Sequence, residues 1–206
     1  MTNQKIFRGV LKLFFELIIV FTGVSLAFLG SDYRAQKDAD ARALATLQVL
    51  HLELTNFAEY APFSIQGMRA ELTKFHESQS QGELPQPAYY REPRASSAPT
   101  AAWSATVESG AYTLLEPALF YELSLHYNRV ISINQRFERY NGKVENHLLP
   151  KLYAKDNSQF YQDNAQLKGD YQLLVDEIKA IADELDNLVK DADDLRIKLN
   201  GQMQSF

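Results

Sequence analysis

Hydrophobic positions along this chain fall into one dense run followed by several periodic stripes. The dense run is Leu13–Gly30, eighteen residues interrupted by a single charge, Glu16. A helix of roughly 20 residues crosses the bilayer hydrocarbon at about 1.5 Å per residue, and counting from Val10 reaches that length. Lys5, Arg8 and Lys12 flank one end, and Asp32, Tyr33 and Arg34 the other. The pattern predicts a transmembrane anchor within residues 1–32. A cleaved signal peptide is the competing reading, with Ser25-Leu26-Ala27 as a small-x-small site. Glu16 at the head of the run and the large residues Phe28 and Leu29 beyond that site favour retention.

Beyond the anchor the stripes have helical spacing. Leu44, Leu47, Leu50, Leu54 and Phe57 recur at three- and four-residue steps, which predicts a helix over 33–61 closed by Pro62. Ile65, Met68, Leu72 and Phe75 mark a second helix over 63–79, so 33–80 reads as a pair of juxtamembrane helices. Pro85, Pro87, Pro93 and Pro99 crowd the segment 81–99, the one linker-like loop. A short helix is expected over Ala101–Ser109, capped by Thr100 and ended by Gly110. Trp103 within it reads as a packing anchor. A longer helix runs from Pro117 to Leu149. Its stripe of Phe120, Leu123, Tyr127, Val130, Phe137, Val144 and Leu148 is interrupted by Asn134 and Asn141.

The most regular stripe is C-terminal. Phe160, Asn164, Leu167, Tyr171, Leu174, Ile178, Ile181, Leu185, Leu188, Ala192, Leu195 and Leu199 alternate steps of four and three. One flank is acidic (Asp163, Asp170, Glu177, Glu184, Asp191), whereas the other adds Val175, Ala182 and Val189. The apolar face therefore covers three positions in seven, which suits a bundle helix better than a two-stranded zipper. Leu167, Leu174, Ile178, Ile181, Leu185, Leu188 and Leu195 are the expected partner or bundle face. The predicted fold is all-α: one N-terminal transmembrane helix, then a bundle in which an antiparallel hairpin of 117–149 and 156–199, within 100–206, packs on 33–61. The C-terminal helix is expected to outrun its partner.

Within the anchor, Glu16, Val20, Gly23 and Ala27 share one helical face. Gly23 and Ala27 form a small-xxx-small pair that lets a second backbone approach. Glu16 near the end of the span snorkels to the headgroups or pairs with Lys12, and an ion-coupled role in an assembly is the functional alternative. A glutamate in the span, then Gly23 and Ala27, then Ala102-Trp103, Ser109-Gly110 and Leu114-Leu115 ahead of Tyr127, resembles a group of bacterial single-pass membrane proteins of unknown function. Members of that group often carry a tryptophan-rich stretch after the span, where this chain has Ser31-Asp32-Tyr33-Arg34. The resemblance implies topology and no activity.

Charge refines the picture. The chain has 206 residues with 21 bases and 26 acids. Setting aside Lys5, Arg8, Lys12 and Glu16 leaves 18 basic and 25 acidic residues over 31–206, a net of −7. Such a body is a poor match for a phosphate backbone, so nucleic acid is not an expected partner. Basic residues ahead of the anchor place the N-terminus in the cytoplasm and the body outside, in the periplasm if the membrane is a bacterial inner membrane. With no cysteine there is no disulfide or thiolate site. His51, His76, His126 and His147 lack metal-ligand spacing. Glu122 and His126 share a face but lack the second Glu-x-x-His pair that a di-iron bundle requires. Ser109-Gly110 lacks a nucleophile-elbow setting. No enzyme, cofactor or metal is expected. The sequence reads as a membrane-anchored interaction or scaffold protein, self-associating or bound to other membrane subunits, with the bilayer as its first partner. The alternative is a sensory helical domain working through a partner, its ligand unspecified.

Overall fold

A computed structural model describes residues 2–91, 98–153 and 156–205; within its first helix the side chains of residues 2–20, 22–32 and 35 lie outside that description. Its helices are α1 (Thr2–Ser80), α2 (Ala101–Glu108), α3 (Pro117–Lys143) and α4 (Gly169–Met203). No strand occurs among the described residues, only an isolated bridge between Tyr161 and Leu167. The all-α expectation is met.

The helix pair expected over 33–79 is instead part of one helix that runs through Pro62. Proline removes one backbone donor and crowds the carbonyl four residues back. Here Pro62 is exposed, and core residues continue in register on both sides of it, from Phe57 to Ile65 and Met68. The packed face holds the helix together across the missing bond.

The core is built from α1, α3 and α4, and the expected antiparallel hairpin is present. Arg136 pairs with Glu177 through two bonds of 2.7 and 3.1 Å. Arg129 bonds Glu184 at 2.9 Å and also Asp191, and Lys198 meets Glu122. As the α3 number rises, the α4 number falls. The acidic flank of the C-terminal stripe is thus the surface on which the α3 arginines land. Residue Arg69 of α1 lies 3.7 Å from Asp183 and 3.6 Å from Asp186, while Asn157, ahead of α4, donates to the Leu84 carbonyl beyond the end of α1. Helix α4 is therefore antiparallel to α1 as well, and α1 and α3 run parallel.

Two boundaries differ from the sequence expectation. Helix α3 ends at Lys143, continues as a π turn over Val144–Leu148, and becomes 3-10 at Leu149–Lys151 around Pro150. The repeat of fours and threes begins at Phe160, yet α4 begins only at Gly169. Asn164 accepts from the Gln166 N–H, and Ala165 takes a φ of 60°. This local turn competes with the helix. Phe160, at the end of a 3-10 turn over Asn157–Phe160, and Leu167, in the loop before α4, are still buried. With α4 at 35 residues, about 52 Å, the expected overhang disappears. The Gln202 side chain bonds the Leu114 carbonyl at one end, and the Phe160 and Tyr171 rings meet edge-on at the other.

The expected linker is a strap laid along the α1–α3 groove. The Pro85 carbonyl accepts from the Tyr161 hydroxyl, and the Tyr90 N–H donates to the Tyr140 hydroxyl. The Tyr90 ring lies over Gly67, where an added Cβ would sit 2.6 Å from it. Residues 92–97 of the loop, Pro93 included, lie outside the described residues. Helix α2 then packs against α1 and α3. Thr100 makes no side-chain cap; Glu53 on α1 supplies one, its Oε2 accepting from the Ala102 N–H at 3.0 Å. A carboxylate at a helix N-terminus is favoured by the unpaired amides there. Gly110 takes the left-handed conformation expected after α2, with φ 76°.

Among the described residues no helix is long and apolar enough to cross a membrane. The anchor expected at 13–30 falls, except for Phe21, on residues whose side chains are outside that description.

Candidate functional site

A cavity of about 430 Å³ opens midway along the bundle, between the parallel helices α1 and α3. Helical spacing builds it. Phe57, Ala61 and Met68 come from α1, Ile133 and Phe137 from α3, and Ile181 and Leu185 of α4 complete its apolar lining. Asn56, Tyr60 and Ser64 of α1, with Asn134, Glu138 and Asn141 of α3, supply polar groups. Ala98 and Pro99 of the strap also line it. Asn134 fixes that edge by donating to the Ala98 carbonyl at 2.9 Å and accepting from the Ala98 N–H at 2.8 Å. Among the described residues, Glu138 is the only charged one in the lining. The volume and the mixed lining are those of a small-molecule pocket.

Next to the cavity, a partly buried polar cluster joins α1, α2 and α3. Glu53 Oε1 accepts from the Tyr127 hydroxyl at 2.9 Å while Oε2 caps α2. Trp103 stacks on Tyr127 with ring centres 5.2 Å apart and planes 2° from parallel, so it packs as expected. Burial, with the neighbouring Glu53 charge adding to it, pushes the Tyr127 hydroxyl well above the ordinary tyrosine range. It is a fixed donor and not an acid at neutral pH. His126, next to Tyr127 on α3, is 3% exposed, packs edge-on to Phe57 and Tyr127, and has no partner at Nδ1 among the described residues. Burial pulls its pKa down to about 4, opposed by Asp191 and assisted by Arg129. Glu122, its expected face-mate, pairs with Lys198 instead. Among the described residues no cluster of three His, Cys, Asp or Glu side chains could hold a metal.

Of the expected face, Leu167, Leu174, Ile178, Ile181, Leu188 and Leu195 are buried in the core, and Leu185 is partly buried and lines the cavity. Val175 and Ala182, which widen the stripe, are buried too. The face is used inside the bundle, so no zipper surface is left over on it. Glu16, Val20, Gly23 and Ala27 lie outside the residues whose side chains are described. Sequence reading missed Glu53, whose partners stand 49 and 74 residues away. Asn134 and Asn141 did carry a signal, as breaks in the α3 stripe. Comparison with known protein families, with curated proteins and with solved structures finds nothing that matches this chain.

Proposed function

We propose that this is a membrane-anchored, non-enzymatic interaction protein, its helical body held beside the bilayer by the segment 13–30. It acts by self-association or as an accessory subunit of a larger complex in a bacterial inner membrane, with the N-terminus cytoplasmic and the body periplasmic. The supporting observation is the continuity of α1 from Thr2 to Ser80. One helix carries both the run of eighteen residues with a single charge and the stripe that packs into the bundle. An apolar run of that length finds its lowest free energy in lipid. The resemblance through Glu16, Gly23, Ala27 and the Trp103–Tyr127 windows points to the same topology. The test is a carbonate wash of native membranes followed by co-purification in mild detergent. The protein should remain with the membrane and bring a copy of itself or another subunit. Release into the wash overturns the anchor, and a bare monomer overturns the interaction role.

The cavity favours a second reading, a sensory body whose ligand is a small amphiphile and whose output passes through a partner. A melting midpoint that rises with such a compound, and is unmoved after Ile133→Trp fills the pocket, would support it.

A further inference from the structure

The core face of α1 and its solvent face lie on nearly opposite sides of the helix. Leu47, Leu50, Leu54, Phe57, Ile65 and Met68 point into the bundle. On the other side Ala45 is exposed, as are Val49 and Leu52 at 56% and Phe63 at 70%. At about 100° per residue these four positions, with Asn56 and the exposed Glu59, fall within one arc of about 80°. The arc is flanked by Tyr60, 66% exposed. From Ala45 to Phe63 the stripe is about 27 Å long. The stripe is apolar at Ala45, Val49 and Leu52 and again at Tyr60 and Phe63, with the exposed polar side chains of Asn56 and Glu59 between.

The same angular count, followed back along the unbroken helix, places Glu16, Val20, Gly23 and Ala27 in that arc. The positions where a second helix could approach closely within the bilayer are therefore collinear with the exposed stripe on the body. Between them lie Arg34 and Asp38, exposed, of opposite charge and without an ion pair among the described residues. In a parallel pair of helices related by a two-fold axis, residues on either side of the centre line face each other across it. Arg34 of one copy then stands near Asp38 of the other.

We propose that α1 forms a parallel homodimer through this face, from Gly23 and Ala27 to Phe63, with a second copy of this chain as the occupant. The proposal rests on the anchored reading for its direction. Two copies inserted in one membrane with the same sidedness have parallel helices, and a two-fold axis along the membrane normal brings each residue of the seam to its own counterpart. The C-terminal stripe cannot serve instead, because the bundle consumes it.

The chain has no cysteine, so single cysteines can be placed in the full-length protein without removing any. In native membranes under mild oxidation, Val49→Cys, Leu52→Cys and Phe63→Cys should each convert most of the protein to a covalent dimer. Leu173→Cys and Ile197→Cys, both 63% exposed on α4, should stay monomeric. A disulfide needs Cβ atoms about 4 Å apart, so only positions near the two-fold axis qualify. Efficient mixed cross-linking of Val49→Cys with Phe63→Cys would show antiparallel packing and overturn the proposal. So would equal cross-linking at the α4 positions, no cross-linking on α1, or a product with the mass of a different protein. A carbonate wash of the same membranes tests the anchor separately: dimers that cross-link at matching positions yet wash off leave the interface standing and remove the anchor. As a second measurement, Leu52→Asp combined with Phe63→Asp should shift the detergent-extracted protein from dimer to monomer with unchanged helix content.

Discussion

His126 shows how a single side chain ties this fold to pH. Its ring is enclosed by Phe57 and Tyr127, and burial holds its folded pKa near 4, against about 6.5 in an unfolded chain. Above pH 6.5 both states carry a neutral ring and nothing is lost. As pH falls below 6.5 the unfolded chain takes a proton that the folded chain refuses, so stability declines toward pH 4. The loss is about 2 kcal/mol at pH 5 and about 3 kcal/mol in full. Glu177 lies lower: its bonds to Arg136 hold it below the ordinary carboxylate range, so its contribution is lost only at more acidic pH. The melting midpoint should therefore fall between pH 7 and pH 5, and His126→Leu should flatten most of that fall. A His126→Leu profile parallel to the parent would assign the pH dependence to other groups. Glu53 is the other residue on which the packing turns. Its two oxygens satisfy a buried hydroxyl and a helix terminus at once, and losing either partner costs about 1–3 kcal/mol.

At the scale of elements, the instructive case is the long helix through Pro62. The apolar positions keep step across it: Phe57, Ala61, Ile65 and Met68 follow at intervals of four, four and three. That register was legible in the sequence and carried more weight than the local breaker, because the packing of α4 on both sides of Pro62 supports the helix. A proline in a helix interior costs about 3 kcal/mol relative to alanine. Since the helix is already present, Pro62→Ala should raise the denaturation free energy by about 1–3 kcal/mol, and an unchanged or lower midpoint would mean that the helix is bent there for a reason. The opposite error occurs at 160–167. There the spacing is right for a helix, yet Asn164 and Ala165 form a turn, and Phe160 and Leu167 reach the core without an α-helix. Periodicity reports which side chains are buried; it does not report the backbone that buries them. The arginine contacts of α3, the Glu53 cap and the Asn134 clamp on Ala98 all join residues tens of positions apart. They depend on which helices become neighbours, which a single sequence does not encode locally. The cavity was illegible for the same reason, although its two asparagines had already broken an otherwise apolar stripe.

For the molecule as a whole, the question is whether the body needs its N-terminal helix in order to fold. Among the described side chains of α1, the first packed against the core is Ala43 and the first fully buried is Leu47, whereas Tyr33, Arg34 and residues 36–42 are exposed throughout. A helix segment without tertiary contacts contributes little to the stability of a distant core, because most helix stability in water comes from packing. A chain beginning at Asp40 should therefore fold into the same bundle, with a melting midpoint within about 3 °C of the full-length protein, a difference of no more than about 1 kcal/mol for a body of this size. It should also be recovered without detergent, since the apolar run is gone. If this shortened chain fails to fold, or melts far below the parent, the N-terminal segment contacts the body directly, and an extended anchor is the wrong description of α1. If it folds but still dimerises as tightly as the parent, the exposed stripe from Ala45 to Phe63 is sufficient by itself. Weaker association that returns when residues 1–39 are restored would place part of the seam within the bilayer, where small residues allow backbones to meet and the anchor concentrates the two copies in one plane.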